Sequence, residues 1–221
     1  MEIRNIIFDL GGVLYNINYN LTAHAFKSLD ISNFDDIFTQ ASQLQLFDLL
    51  DKGAITPDAF RNELRNLTGL PLTDQQIDNA WNAMLLEMHP YSLELLAKVK
   101  GRYRTFLLSN TNQIHFPVFL QYLIDNHNLD NLKDLFEEQY LSFEMGMRKP
   151  DVEIFNFVIR QNGLIPSETL FIDDTPQHVA GARKAGLRAY WLNVDTESVA
   201  DLFENGQLKR SFLNVLQNQN T

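Results

Sequence analysis

Ile3-Arg4-Asn5-Ile6-Ile7-Phe8-Asp9-Leu10-Gly11-Gly12-Val13-Leu14 places a short apolar run directly before an aspartate and a pair of glycines. The β-branched residues favour extended backbone and Gly11-Gly12 supplies a tight turn, so the stretch predicts a buried strand with Asp9 at its carboxyl end. Three runs of similar character recur: 105–108 before Ser109-Asn110, 169–172 before Asp173-Asp174, and 187–192 after Ala185-Gly186. Helical periodicity lies beside them, over residues 91–100, 113–126, 151–161 and 178–184. Strands alternating with helices predict parallel βαβ units in an α/β, doubly wound parallel sheet.

Residues 16–89 break this alternation, with helical periodicity and no strand signal. Pro57 after Thr56 and Asp74 after Thr73 mark helix starts, and Gly53 and Gly69 mark stops. The segment reads as a small helical cap inserted after the first strand, with residues 1–15 and 90–221 forming the core domain. The last stretch, 206–221, is expected to be a short helix with a frayed tail of Gln and Asn.

The composition narrows the chemistry. With 221 residues, 45% hydrophobic and 21% charged, the chain has material for one good core and a smaller lobe. A formal net charge of -10 argues against nucleic acid and against an anionic membrane surface as partners. It would also repel an anionic substrate, so if the substrate is a phosphate the site must supply its own local positive charge. Without cysteine there is no disulfide, thiolate ligand or thiol nucleophile, and carboxylates must do the work. The N-terminus lacks the pattern of a signal peptide, and no stretch is long enough to span a bilayer. A cytoplasmic monomer or homodimer is the expectation.

In an open parallel sheet the ligand crevice lies outside the carboxyl ends of the strands. The residues that should meet there are Asp9, Ser109, Asn110, Asp173 and Asp174. Lys149, in the loop Met145-Gly146-Met147-Arg148-Lys149-Pro150, adds a counter-charge.

Phe8-Asp9-Leu10-Gly11-Gly12-Val13-Leu14, Ser109-Asn110-Thr111, Arg148-Lys149-Pro150 and Phe171-Ile172-Asp173-Asp174 resemble, in order, the four motifs of the haloacid dehalogenase-like superfamily. The stretches 109–112 and 141–150 are similar to bacterial sugar-phosphate phosphatases acting on α-glucose-1-phosphate, in subfamily IA. The resemblance implies a Rossmann-like core with a small C1-type cap, and Mg2+-dependent hydrolysis of a small-molecule phosphate ester. Asp9 would become a transient aspartyl phosphate. Asp9, Gly11 through its carbonyl, Asp173 and Asp174 would hold the metal. Leu10, Gly11 and Gly12 through backbone N–H groups, together with Ser109, Asn110 and Lys149, would bind the phosphoryl oxygens.

One position departs from the usual phosphatase pattern, which has a second aspartate two residues after the nucleophile. Here it is Gly11, which cannot transfer a proton. Either another group supplies the proton, or the leaving group is good enough to need little help, as in an anomeric phosphate. Two rival functions follow: a metal-free dehalogenase, opposed by the Asp173-Asp174 pair, and a non-catalytic phosphosugar-binding module. His24, His89, His115, His127 and His178 lack ligand spacing and read as surface or packing residues. Glu137-Glu138 reads as a solvated face. Phe47, Asp48, Asp51, Lys52 and Gly53 are the candidate substrate contact from the cap.

Overall fold

The computed structural model describes residues 2–31, 34, 36, 37, 39 and 45–218. The strands are β1 (Asn5–Phe8), β2 (Tyr15–Ile17), β3 (Leu85–Met88), β4 (Arg104–Ser109), β5 (Glu138–Leu141), β6 (Thr169–Asp173), β7 (Arg188–Trp191), β8 (Phe203–Glu204) and β9 (Gln207–Leu208). Five of them form a parallel sheet in the order β5-β4-β1-β6-β7. Helices Ser92–Lys100, His115–His127, Val152–Asn162 and Pro176–Lys184 fill the crossovers. The chain builds outward from β1 in both directions, so the strand order reverses there and the crevice opens at its carboxyl end.

The period of two along each strand sorts side chains onto the two faces. Ile6, Phe8, Leu107, Leu170 and Ile172 pack on one face with Leu96, Val99 and Phe119. Ile7, Phe106, Leu108 and Phe171 pack on the other with Ile154, Phe155 and Val179. Because helices cover both faces, the central strands β1, β4 and β6 read as apolar runs and were visible in the sequence. Each fully buried side chain of this size contributes roughly 1.5–3 kcal/mol.

Between β2 and β3 lie helices Tyr19–Lys27, Leu46–Asp51, Pro57–Thr68 and Asp74–Asn82. They share a separate apolar centre that includes Phe26, Leu50, Phe60, Ile77 and Trp81. The expected starts at Pro57 and Asp74 are present. Thr56 caps the first by accepting from Ala59 N, and Thr73 with Gln76 forms a reciprocal capping box on the second. Gly69 ends Pro57–Thr68 at φ 67, in the left-handed region where glycine is favoured.

Two features differ from the sequence reading. The segment 16–89 is not free of strand: β3 pairs antiparallel with β2, so the helical lobe leaves and rejoins the core through a two-stranded stalk. Three and four residues of mixed polarity are too short to display a period. The edge strand β5, which begins at Glu138, was also not read from the sequence; Glu137 and Glu138 are exposed as expected, and Glu137 accepts from Arg104 Nε at 2.8 Å. The helix Arg210–Asn218 is present, and the tail after it lies outside the described residues. Among the described residues no helix is long and apolar enough to cross a membrane.

Candidate active site

The strand ends bring the expected residues together. Asp9 directly follows β1, Ser109 and Asp173 close β4 and β6, and Lys149 enters from the loop before helix Val152–Asn162. Lys149 Nζ lies 2.7 Å from Asp9 Oδ1 and 2.7 Å from Asp173 Oδ2, and the lysine is completely buried. Asn110 fixes the lysine's backbone from both sides. Its Oδ1 accepts from Lys149 N at 2.9 Å, and its Nδ2 donates to Lys149 O at 2.9 Å.

Asp173 has further partners. Thr175 N donates to Oδ1 at 2.8 Å, and His178 Nδ1 stands 3.0 Å from the same oxygen. Burial lowers the His178 pKa against the opposing pull of Asp173, and because a carboxylate only accepts, the His178 Nδ1–H donates to it. His178 therefore belongs to the site, contrary to the surface-or-packing reading. Its signal was phase: five residues after Asp173, it sits in the first turn of helix Pro176–Lys184.

The charges do not balance. Burial pushes the Asp9 carboxyl up to about 8, with Asp173 adding and Lys149 opposing. Asp174 is raised to about 6, by burial first and then by Asp173. Asp173 is lowered: burial works against its charge, and Lys149 and His178 outweigh burial. Lys149 is raised because Asp173 and Asp9 overcome its desolvation. One lysine faces three carboxylates. Asp9, Asp173 and His178 each place a ligand atom within 4.8 Å of the others. Oxygen-dominated donors with surplus negative charge fit a hard divalent cation.

The glycines of the turn have separate duties. A Cβ on Gly12, at φ +75, would lie 2.1 Å from Asp174 Oδ2, so the absent side chain makes room for that carboxylate. Gly12 N donates to Tyr15 O at 2.8 Å, which closes the turn. Leu10 and Gly11 face a cavity of about 750 Å³ between lobe and core, along with Ser109, Asn110 and His178.

From the lobe, Phe47 and Asp51 reach this cavity, whereas Asp48, Lys52 and Gly53 do not line it. Asp48 pairs with Arg148, and Lys52 Nζ meets Asp151 Oδ2 at 2.9 Å. Asn112 Nδ2 donates to Asp51 Oδ1 at 3.0 Å, and Arg148 Nη2 lies 3.5 Å from Asp51 Oδ2. His115 stacks on Trp81 at 5.1 Å and bonds Asn82 Oδ1 at 2.7 Å; burial drives its pKa down to about 3. These contacts join the lobe to the loops that carry Asn110 and Lys149.

Known proteins resemble this chain in sequence and fold. The chain is 31% identical over 191 residues to the D-ribitol-5-phosphate phosphatase of Bacteroides thetaiotaomicron, covering 85% of this chain and 91% of that protein. It is 28% identical over 206 residues to a sesquiterpene phosphatase of Aspergillus oryzae, covering 91% and 94%. A solved haloacid dehalogenase family enzyme from Bacteroides thetaiotaomicron, in complex with magnesium and inorganic phosphate, superposes with a TM-score of 0.82 at 37% identity, covering 91% of this chain and 100% of that one. The family model for haloacid dehalogenase-like hydrolases matches residues 3–186, and the chain belongs to that family.

Proposed function

We propose that this chain is a Mg2+-dependent phosphatase of small sugar or polyol phosphates, with Asp9 as the nucleophile. The observation that carries the reading is Lys149 Nζ shared at 2.7 Å between Asp9 and Asp173. A carboxylate buried among like charges holds its proton and is a poor nucleophile; a cation beside it restores the reactive form. The lysine answers only part of that demand.

Asp9, Asp173, Asp174 and the Gly11 carbonyl would hold Mg2+, which when bound supplies positive charge to the nucleophile and the phosphoryl oxygens. Lys149 orients Asp9 Oδ1 and neutralises charge as the Oδ–P bond forms and the bridging P–O bond breaks. Ser109 and the N–H groups of Leu10 and Gly11 hold the phosphoryl oxygens. Asn110 acts through Lys149, by fixing its backbone. Water then cleaves the aspartyl phosphate and regenerates Asp9. The lobe, residues 16–89, closes the cavity over the reacting group as a cap.

The Bacteroides relative's name supports a polyol phosphate such as ribitol-5-phosphate, and Gly11 favours an anomeric ester such as α-glucose-1-phosphate. A second reading, an ester with an apolar leaving group, draws on the Tyr15, Phe47, Met84, Phe116 and Phe119 walls of the cavity. The Aspergillus relative's name agrees with it. A metal-free dehalogenase is disfavoured because Lys149 alone would then have to offset Asp9, Asp173 and Asp174. The test is phosphate release from a panel holding ribitol-5-phosphate, α-glucose-1-phosphate and a prenyl phosphate, with Mg2+ and with chelator. Metal-dependent release from the sugar or polyol esters supports the reading, and its absence from all of them refutes it.

A further inference from the structure

An alcohol leaving oxygen more basic than an anomeric one needs a hydrogen-bond donor, and the turn after the nucleophile offers none from a side chain. Gly11 has no side chain, and the space for one is bounded: a Cβ there would lie 3.0 Å from Ile17 Cδ1. The wall beside the reacting group is apolar at the point where a proton-bearing group would help most.

Tyr19 faces this space from the lobe. It is the first residue of helix Tyr19–Lys27, and it lines the cavity together with Leu10, Gly11, Ser109 and Asn110. The residue is 67% exposed, and the surface it exposes includes cavity wall. Its hydroxyl has no hydrogen-bond partner among the described residues. Tyr15, on the same cavity, donates its own hydroxyl to Leu86 O at 2.8 Å. Partial enclosure by the cavity walls raises the Tyr19 pKa, and the carboxylates of Asp9, Asp174, Asp51 and Asp173 raise it further, so the phenol keeps its proton.

We propose that the Tyr19 hydroxyl donates a hydrogen bond to the leaving-group oxygen, which makes Tyr19 a catalytic residue of this site. The assignment rests on the phosphatase reading. As Asp9 Oδ bonds to phosphorus, the electron pair of the bridging P–O bond moves onto the leaving oxygen, and the Tyr19 O–H stabilises the charge that develops there. The alcohol forms with a proton from water, and the hydroxide equivalent ends in the released phosphate. An uncharged donor suits a site already crowded with carboxylates, where another acid would compete for the cation.

Tyr19→Phe keeps the ring and removes only the oxygen. The measurement is kcat/KM with Mg2+ for ethyl, phenyl and p-nitrophenyl phosphate, whose leaving groups run from most to least basic. The variant should lose roughly tenfold or more on ethyl phosphate, and roughly fivefold less than that on p-nitrophenyl phosphate, because charge on the leaving oxygen grows with its basicity. A wild-type-like value on ethyl phosphate, or an equal loss on all three esters, would overturn the proposal. A wild-type protein that releases no phosphate from any ester would overturn the phosphatase reading with it, which separates the two failures.

Discussion

Asn110 binds Lys149 at both ends of its backbone, accepting from the N–H and donating to the carbonyl, each at 2.9 Å. The amide side chain thereby acts as a strand partner for one residue, and it aims a buried ammonium between two carboxylates. Replacing it with alanine leaves two backbone groups to find new partners, at a cost of about 1–3 kcal/mol. Asn110→Ala should lower kcat by roughly 10–100-fold, for lost positioning. Urea unfolding and steady-state kinetics of the same preparation check both effects, and a wild-type kcat would contradict the positioning role.

Removing the ammonium is more severe. Lys149→Met leaves Asp9 and Asp173 buried without their counter-charge, and breaking such a pair costs about 3–5 kcal/mol. The penalty depends on pH, because both carboxylates are then held above their unfolded values. Protonation relieves it, so the variant should be closer to wild type at pH 5 than at pH 8. Denaturant midpoints in chelator at the two pH values would show this, and a pH-independent difference would not fit.

Metal stabilisation should follow the same logic. Asp9 at about 8 and Asp174 at about 6 are raised above their unfolded values, near 4. A group raised in the folded state stabilises the fold while protonated; that contribution is full below the unfolded value and is lost as pH climbs through 6 and 8. The metal-free Tm should therefore fall across that window. Mg2+ competes with those protons, so the rise in Tm it produces should be larger at pH 8 than at pH 5.5. Thermal melts with Mg2+ and with chelator test it; a shift that shrinks with rising pH would contradict the assigned ligands.

At the seam, Arg148 holds Asp48 and Asp51 of helix Leu46–Asp51 against the loop that carries Lys149. Burial already raises Asp51 to about 6, with Asn112 and Arg148 opposing. Arg148→Ala should loosen the lobe and reduce kcat/KM by roughly tenfold, mainly through KM, since positioning of the substrate is lost before the chemistry. An unchanged KM would show that the seam plays no part in substrate capture.

The parallel core was legible because strands covered on both faces are uninterrupted apolar runs ended by Asp9, Ser109-Asn110 and Asp173-Asp174. The stalk Tyr15–Ile17 and Leu85–Met88 was not, since short strands of mixed polarity carry no period. At the site, the strand-end rule picked out Asp9 and the Asp173-Asp174 pair, because topology alone brings strand ends together, whereas Lys149 was read from its own loop motif. His178 and Tyr19 escaped it, since a helix phase and a lobe orientation decide where they face. Gly12 was expected among the phosphate contacts; its N–H donates to Tyr15 O, a turn bond that no residue pattern announces.

The central claim is that Asp9 itself carries the phosphoryl group. Wild-type protein mixed with Mg2+ and a turned-over phosphate ester, quenched in acid within one turnover and mapped by mass spectrometry, should bear phosphate on the peptide at Asp9, and Asp9→Asn should bear none and release none. Steady phosphate release with an unmodified Asp9, or with the phosphate on another residue, would contradict the account.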